Sequence, residues 1–195
     1  MSHSLTLPRS GEVVIFDLEW TAWEGSLARN WKGPGEFREV IQIGAVILEA
    51  VAFQAMAGFS ILVRPLKNPV LSDYIQGLTG ITNTKMEQEG VPYQEALNAF
   101  ASFLGERPAF CNGGDGVVLE ENSRLQGIAH PFPSHRFGNL RPLLSLATGL
   151  PAPVLVSSDL PVLLGLGPRI GSHTGDGDAR AIGETLRALR ARGAL

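Results

Sequence analysis

The chain has 195 residues, 44% of them hydrophobic, with one cysteine and a formal net charge of −3. This length and apolar fraction exclude a mainly disordered chain and predict one domain over residues 1–195, with its core at about 11–192. The single cysteine excludes a disulfide scaffold and a cysteine-built zinc site. The mildly acidic charge argues against a protein that coats nucleic acid by bulk electrostatics, but not against an enzyme that holds nucleic acid locally through metal ions.

The first ten residues lack the apolar stretch of a secretory signal, and the single cysteine fits a reducing compartment, so we expect a cytoplasmic protein. Residues 45–63 carry one charge and approach the length of a membrane-spanning helix. Glu49, Gln54 and Gly58 interrupt this stretch, and its branched and aromatic residues concentrate at the two ends. Two buried strands joined by a turn explain the pattern better, so no association with a membrane is expected.

Short runs rich in β-branched and aromatic residues predict three leading strands, at residues 12–18, 39–48 and 53–63. The connection at residues 20–38 is long enough to predict a functional or mobile loop. Residues 65–90 are polar and predict short helical turns. Pro92 then predicts the start of a helix, because apolar residues recur at helical spacing from there to Leu104.

The second half of the chain alternates short strands with helices. A fourth strand is predicted at residues 108–111, a loop or short strand at 128–136, and helices at 114–127, 139–148, 158–164 and 177–192. Three strands, a helix and then alternating elements predict an α/β fold. Its mixed central sheet would begin with an antiparallel meander and be flanked by helices.

Asp17 and Glu19 lie two residues apart at the end of the first predicted strand. Side chains alternate between the faces of a strand, so both carboxylates project from one face, where burying them unpaired would cost several kcal/mol. A cation between them removes this cost, and carboxylate oxygens suit Mg²⁺ or Mn²⁺. The alternative is a strand that ends in solvated acids, which is the commoner situation for such a pair alone.

Further acidic residues precede two of the predicted helices. Asp115 lies in the segment CNGGDGVV, where glycines allow a close backbone approach to a ligand, although an ordinary helix N-cap is the alternative. His173, Asp176 and Asp178 lie in GSHTGDGDARAI, before or within the last helix. Asp178 lies one turn before Ile182 and shares its core-facing side, so it also requires a partner such as a metal. The alternative is a capping cluster with Asp176 as the N-cap.

Taken together, these segments resemble the three motifs of the DEDDh (DnaQ-like) 3′–5′ exonucleases: FDLE after the first strand, a glycine-flanked Asp before a mid-chain helix, and H-x4-D at the last helix. Other segments resemble more narrowly the RNase T-like branch that includes the histone-mRNA exonucleases and KapD-like bacterial proteins. These segments are RPLKNP, LSDYIQGLTGIT, PYQEALNAFASFL, FGNLRPL and SSDLPVLLGLG. The resemblance covers residues 13–189.

The resemblance implies an RNase H-like fold forming a single exonuclease domain. It also implies a metal-dependent 3′–5′ exonuclease that hydrolyses single-stranded RNA or DNA from its 3′ end, with RNA favoured, to nucleoside 5′-monophosphates. By motif, Asp17, Glu19, Asp115 and Asp178 would hold two divalent ions, Mg²⁺ or Mn²⁺, and His173 would be the general base.

The third motif departs from the family pattern H-x-A-x-x-D. Gly175 stands where alanine is usual, and Asp176 is an additional acid. The interval from His173 to Asp178 is kept, so Asp178 is assigned as the ligand, with Asp176 as a substitute. The glycines Gly175 and Gly177 predict a loop that becomes ordered only with substrate.

Three tryptophans, Trp20, Trp23 and Trp31, fall within twelve residues in or beside the first long loop. Nucleic-acid bases stack on aromatic rings, and we expect Trp20, next to Glu19, to line the substrate cleft. Whether Trp23 and Trp31 stack on bases or pack over the sheet stays open. The resemblance adds Thr21 and Thr79, which match positions near the terminal nucleotide.

A second function remains open from the sequence: a non-catalytic binding or regulatory protein on the same fold, acting through partner contacts. The presence of all five motif residues favours the enzyme over this alternative. The sequence leaves the choice between RNA and DNA, the pathway and processivity undetermined. It also leaves the oligomeric state open, with a monomer favoured.

Overall fold

The computed structural model describes residues 6–133, 135–168 and 173–195. In these residues the chain forms one five-stranded mixed sheet in the order β3-β2-β1-β4-β5. The strands are β1 (Glu12–Trp20), β2 (Val40–Glu49), β3 (Ala55–Leu62), β4 (Ala109–Cys111) and β5 (Phe137–Asn139). The first three form an antiparallel meander, and β4 and β5 are parallel to β1. The predicted α/β fold with a leading meander is therefore confirmed.

Helices flank the sheet. They are α1 (Asp73–Thr79), α2 (Asn83–Glu89), α3 (Tyr93–Leu104), α4 (Asp115–Leu125), α5 (Arg141–Thr148), α6 (Leu160–Leu163) and α7 (Gly175–Ala191). Residues 45–63 form the second half of β2, the turn that follows it and all of β3, so the predicted pair of strands joined by a turn is confirmed. The prediction that both strands are buried is wrong for β3, most of whose residues are exposed. No helix within the described ranges is long and apolar enough to cross a membrane.

One strand differs from the prediction. Residues 137–139 form β5, whereas the sequence predicted a loop or short strand up to residue 136 and a helix from 139. The helix begins at Arg141 instead. A three-residue strand is too short to show the alternation that predicts strands, and only its pairing with β4 identifies it.

Alternation along β1 divides the core into two layers. Val14, Phe16 and Leu18 pack on one face of the sheet in a cluster that includes α3. Val13 and Ile15 pack on the opposite face in a cluster that includes α7. The residues at positions 17 and 19 continue this second row, so the pleat of β1 directs them to the face that α7 covers.

The first turn of α7 crosses the sheet at very close range. A Cβ atom on Gly44 of β2 would lie 1.9 Å from the carbonyl carbon of Gly175, and a Cβ on Gly175 would lie 2.9 Å from the backbone oxygen of Asp17. Both glycines are therefore needed for this contact. The structure begins α7 at Gly175, two residues before the predicted start at Gly177, and both glycines are buried, so Gly175 is not a loop residue. That the segment before α7 becomes ordered only with substrate stays a prediction.

Candidate active site

Asp17 and Glu19 lie side by side at the C-terminal end of β1, on the face covered by α7. A carboxylate oxygen from each of them and one from Asp178 all lie within 4.8 Å of one another. All three side chains are buried. Three buried acids at this separation repel one another when ionised, and hard divalent cations prefer such oxygen donors, so the residues fit a metal site.

Asp115 approaches these three acids from the other side of β1 and lines the same cavity, although its carboxylate oxygens are not among those within 4.8 Å of one another. Parallel pairing of β4 with β1 brings the C-terminal ends of both strands together, and α4 begins shortly after β4. The Asp115 carboxylate accepts a hydrogen bond from the backbone N–H of Leu18, with 3.3 Å between nitrogen and oxygen. The N-cap of α4 is Gly114, without a side-chain cap bond. Asp115 is therefore not the helix cap that the sequence offered as an alternative.

Asp178 is buried in the first turn of α7, and its carboxylate accepts a hydrogen bond of 3.3 Å from the backbone N–H of His173. The N-cap of α7 is Thr174, whose hydroxyl accepts from the Gly177 backbone N–H. The alternative that Asp176 caps the helix is therefore wrong. Asp176 instead accepts a weak hydrogen bond of 3.5 Å from the Gln42 amide.

Burial and mutual repulsion shift the carboxyl groups toward their protonated forms. Burial raises the pKa of Asp17 well above its ordinary value, and the charges of Asp115, Glu19 and Asp178 raise it further. Burial, then Asp178 and Asp115, raise the pKa of Glu19 to about 8. Burial also raises the pKa of Asp115, although backbone N–H groups and the charge of Arg141 offset part of the rise. Such a cluster is stabilised by added positive charge.

We predict that the metal-free protein loses stability as pH rises. A carboxyl whose pKa is higher in the folded than in the unfolded state binds its proton more tightly when folded, so its stabilising effect is complete below the unfolded pKa. For Glu19 that effect is lost between its ordinary value of 4.5 and about 8. The free energy of unfolding in chelator, measured by urea titration, should therefore fall from pH 5 to pH 8 by on the order of a few kcal/mol.

Two comparisons check this prediction. Glu19→Gln should make the fall in unfolding free energy with pH less steep, because it removes one titrating group. Saturating Mn²⁺ should raise the unfolding free energy most at pH 8, where the carboxylates are ionised. A stability that rises over this pH range in chelator would contradict the electrostatic description of the cluster.

The four carboxylates open onto a cavity of about 520 Å³. His173 and all three tryptophans line it as well, together with Tyr74, Leu78, Arg141 and Val156 among others. Trp20 and Trp31 meet edge to face, with 6.1 Å between ring centroids, and the Trp31 indole N–H donates to the Thr21 carbonyl at 2.8 Å. The first long loop therefore places aromatic surface beside the acidic cluster.

The two threonines matched by resemblance do not line this cavity. Thr21 is buried, and its hydroxyl donates to the Phe37 carbonyl at 2.6 Å and accepts from the Glu39 backbone N–H at 3.0 Å. Thr79 is also buried, and its hydroxyl donates to the Ile75 carbonyl at 2.7 Å. Both hydroxyls thus hold neighbouring backbone in place.

Three residues that the sequence did not single out support the cluster. The Ser157 hydroxyl donates to the Asp17 carboxylate at 3.0 Å. The Asn112 amide donates to the Ser157 hydroxyl at 3.2 Å and to the Leu155 carbonyl at 2.8 Å. The Arg141 guanidinium donates to the Asn112 carbonyl at 2.6 Å. The segments that contain Ser157 and Arg141 contributed to the resemblance, but nothing local distinguished these two side chains.

Ser157→Ala should lower Mn²⁺ affinity and kcat/KM by about tenfold, because groups that orient ligating carboxylates have effects of this size. Ser158→Ala is the matched control. Its hydroxyl is equally buried but has no hydrogen-bond partner among the described residues, so its removal should leave both quantities nearly unchanged. Isothermal titration with Mn²⁺ measures the affinity. Equal effects of the two substitutions would show that the Ser157–Asp17 bond does not orient the ligand.

The five-stranded mixed sheet with helices on its faces is the RNase H-like fold. The four carboxylates lie near the C-terminal end of β1, the central strand of this sheet. Among proteins with this fold, the RNase_T family model, described as an exonuclease, matches residues 14–185. The chain belongs to this exonuclease family.

Individual relatives agree with this assignment. The chain is 32% identical over 92 residues to ERI1 exoribonuclease 2 of Xenopus laevis. This alignment covers 47% of the chain but 12% of that protein. It is 28% identical over 140 residues to 3′-5′ exoribonuclease 1 of Mus musculus, in an alignment that covers 66% of the chain and 38% of that protein. The chain thus matches well under half the length of these relatives.

The fold is shared with solved nucleases. The nuclease domain of 3′hExo, a DEDDh family member bound to rAMP, aligns with a TM-score of 0.80 at 21% identity over 95% of this chain and 94% of that one. Cell-death related nuclease 4 aligns with a TM-score of 0.75 at 17% identity over 95% of this chain and 65% of that one. These comparisons establish the RNase H-like fold predicted from the sequence.

Proposed function

We propose that the protein is a metal-dependent 3′–5′ exonuclease that shortens single-stranded RNA and releases nucleoside 5′-monophosphates. The observation that carries the proposal is the convergence of four buried carboxylates, from β1, α4 and α7, at one cavity that His173 also lines. The exonuclease family match and the named exoribonuclease activity of the relatives support the same conclusion.

Asp17, Glu19, Asp115 and Asp178 would hold two divalent ions, Mg²⁺ or Mn²⁺. Four carboxylates offset the charge of two such ions and leave room for a phosphate. When bound, the ions would stabilise the attacking and leaving oxygens of the phosphodiester. The Ser157 hydroxyl keeps the Asp17 carboxylate oriented, and the Leu18 backbone N–H does so for Asp115.

His173 would accept the proton of the attacking water as the general base. It lines the carboxylate cavity, and its backbone has a φ of 60°, in the left-handed region where histidine, asparagine and aspartate are more frequent than other non-glycine residues. Its backbone N–H holds the Asp178 carboxylate, so the base and one ligand are fixed together. A histidine ordinarily titrates near pH 6.5 and can serve this role at neutral pH.

The substrate would be a single-stranded 3′ end. Trp20, Trp23 and Trp31 line the same cavity as the carboxylates and offer ring faces or edges to bases. Stacking contributes roughly 1–3 kcal/mol per base and requires an unpaired strand. RNA is favoured over DNA because the relatives are named exoribonucleases, one of them aligned over 140 residues.

The decisive experiment uses 5′-labelled RNA and DNA 18-mers of one sequence, incubated with Mg²⁺, Mn²⁺ or excess chelator. We expect a ladder that shortens from the 3′ end, mononucleotide products, inhibition by chelator and slower reaction with a 3′-phosphate. Internal cleavage or equal activity in chelator would overturn the proposal. Tight RNA binding without turnover in either metal would favour the non-catalytic binding protein on the same fold.

We also propose that residues 1–195 form one exonuclease domain with its core at about 11–192, that the protein is a monomer, and that it works in the cytoplasm. The family match over residues 14–185 supports the first statement. The single cysteine, which is buried, is compatible with the third. Light scattering of the purified protein tests the monomer, and fractionation of cells tests the location.

A further inference from the structure

Arg141 is the one lysine or arginine among the described residues that line the carboxylate cavity. It is the first residue of α5 and follows β5 after one intervening residue, Leu140. The pairing of β5 with β4 brings it to the end of the sheet where the acids lie. The described part of this acidic cavity wall thus carries one permanent positive charge, that of Arg141.

Asn112 holds the Arg141 guanidinium in place. The Arg141 Nη2 donates to the Asn112 carbonyl at 2.6 Å, and its Nε donates to the Asn112 side-chain oxygen at the longer distance of 3.4 Å. Asn112 is itself buried and tied by its amide to Leu155 and Ser157. The orientation of the cation is therefore set by the framework that also orients Asp17.

Arg141 keeps donors for a further acceptor. A guanidinium has five N–H groups, and the two bonds to Asn112 use two of them. The ion pairs found in the described ranges do not include Arg141. The side chain is half-buried and faces the cavity that the substrate would enter. A fixed cation with spare donors suits an oxyanion, above all a phosphate.

The position of Arg141 indicates which phosphate of the nucleic acid it would contact. A Cβ atom on Gly113 would lie 3.3 Å from the Arg141 Nη2 and 3.7 Å from the Asp115 carboxylate oxygen. The guanidinium and Asp115 thus flank the same glycine. A phosphate bound at the ions that the four carboxylates would hold would therefore have Arg141 next to it on the side of Asp115.

We propose that Arg141 binds a nonbridging oxygen of the scissile phosphate, which becomes the phosphate of the nucleoside 5′-monophosphate product. This inference rests on the exonuclease function proposed above. Arg141 would add affinity for the phosphate that the carboxylates alone cannot supply, because they repel it. Arg141 would increase the affinity for a nucleotide that carries a phosphate and would not change the affinity for a nucleoside.

The test compares AMP with adenosine, each titrated calorimetrically into the Mn²⁺-loaded protein. The wild type should bind AMP at least about tenfold more tightly than adenosine, as a charge-assisted hydrogen bond implies. Arg141→Ala should weaken AMP binding and kcat/KM on RNA by about 10- to 100-fold and leave adenosine binding unchanged. Arg141→Lys should keep part of the preference. Arg187→Ala, on the exposed side of α7 and outside this cavity, is the matched control and should match the wild type.

The Mn²⁺ affinity of Arg141→Ala distinguishes two roles of Arg141: binding the phosphate, and supporting Asn112 and through it the metal ligands. Removing a positive charge beside the cluster should leave Mn²⁺ affinity unchanged or increase it. An undiminished preference for AMP in Arg141→Ala would overturn the inference, as would a loss of Mn²⁺ affinity as large as the loss of AMP affinity. A wild-type protein that fails to degrade RNA would instead overturn the proposed function itself, and the inference with it.

Discussion

Asp178→Asn is expected to abolish metal-dependent RNA cleavage, whereas Asp176→Asn should retain nearly all of it. Asp178 is buried, and one of its carboxylate oxygens lies within 4.8 Å of oxygens from Asp17 and Glu19. An amide removes one negative charge from this cluster and weakens divalent-ion binding. Asp176 lies two residues away in the same helical turn, and its side chain accepts a weak bond of 3.5 Å from the Gln42 amide.

The two substitutions form a matched pair because they make the same chemical change in one turn of α7. Asp176→Asn removes a charge near the helix N-terminus and should cost about 0.3–1 kcal/mol of stability. Asp178→Asn should leave the metal-free protein as stable as the wild type or more so, since it relieves repulsion among buried carboxylates. The measurements are initial rates with Mg²⁺ and Mn²⁺ and melting temperatures in chelator. Equal losses of activity, or a larger loss at Asp176, would reassign the ligand to Asp176.

Replacing His173 should lower turnover by about 10²–10⁴-fold, the usual contribution of a general base. The choice of replacement matters because the φ of His173 is 60°. Asparagine adopts this left-handed conformation more readily than alanine does, so His173→Asn removes the imidazole with the least disturbance of the backbone. The backbone N–H that binds the Asp178 carboxylate is kept in either variant.

Metal affinity and pH dependence distinguish a base from a metal ligand. If His173 accepts a proton from water, His173→Asn should bind Mn²⁺ about as tightly as the wild type. At saturating metal, wild-type kcat should decline on the acid side near pH 6.5, where an ordinary imidazole becomes protonated, and the variant should lack this decline. Added imidazole should restore part of the activity of His173→Gly. If His173→Asn keeps the same acid decline, the pH dependence belongs to the carboxylates and the role of His173 as base is wrong.

Much of the candidate site follows from local patterns in the sequence. The alternation of β1 places Asp17 and Glu19 on one face, and the same rule identifies Val13 and Ile15 as their buried predecessors. The interval between Asp178 and Ile182 places the acid on the core side of the last helix, where the structure has it. These inferences hold because the periods of strands and helices are properties of the backbone.

The helix start of α7 shows where local patterns fail. Asp176 and Thr174 are both good N-cap residues, and nothing in the neighbouring sequence distinguishes them. The close packing of Gly175 on Gly44 decides the matter, because it requires the helix to begin before Asp176. A glycine that resembles a flexible loop residue in the sequence is here needed for tight contact between a helix and a sheet.

The sequence by itself determined the α/β class, the antiparallel meander and the order of the acidic motifs, since each depends on residues close together in the chain. Tertiary structure alone decided which polar residues surround those acids. Ser157 meets Asp17 across 140 positions, and Arg141 reaches Asn112 across 29. The parallel pairing of the short strands β4 and β5 brings Arg141 to the cluster, and pairing of this kind leaves no periodic signal in three residues.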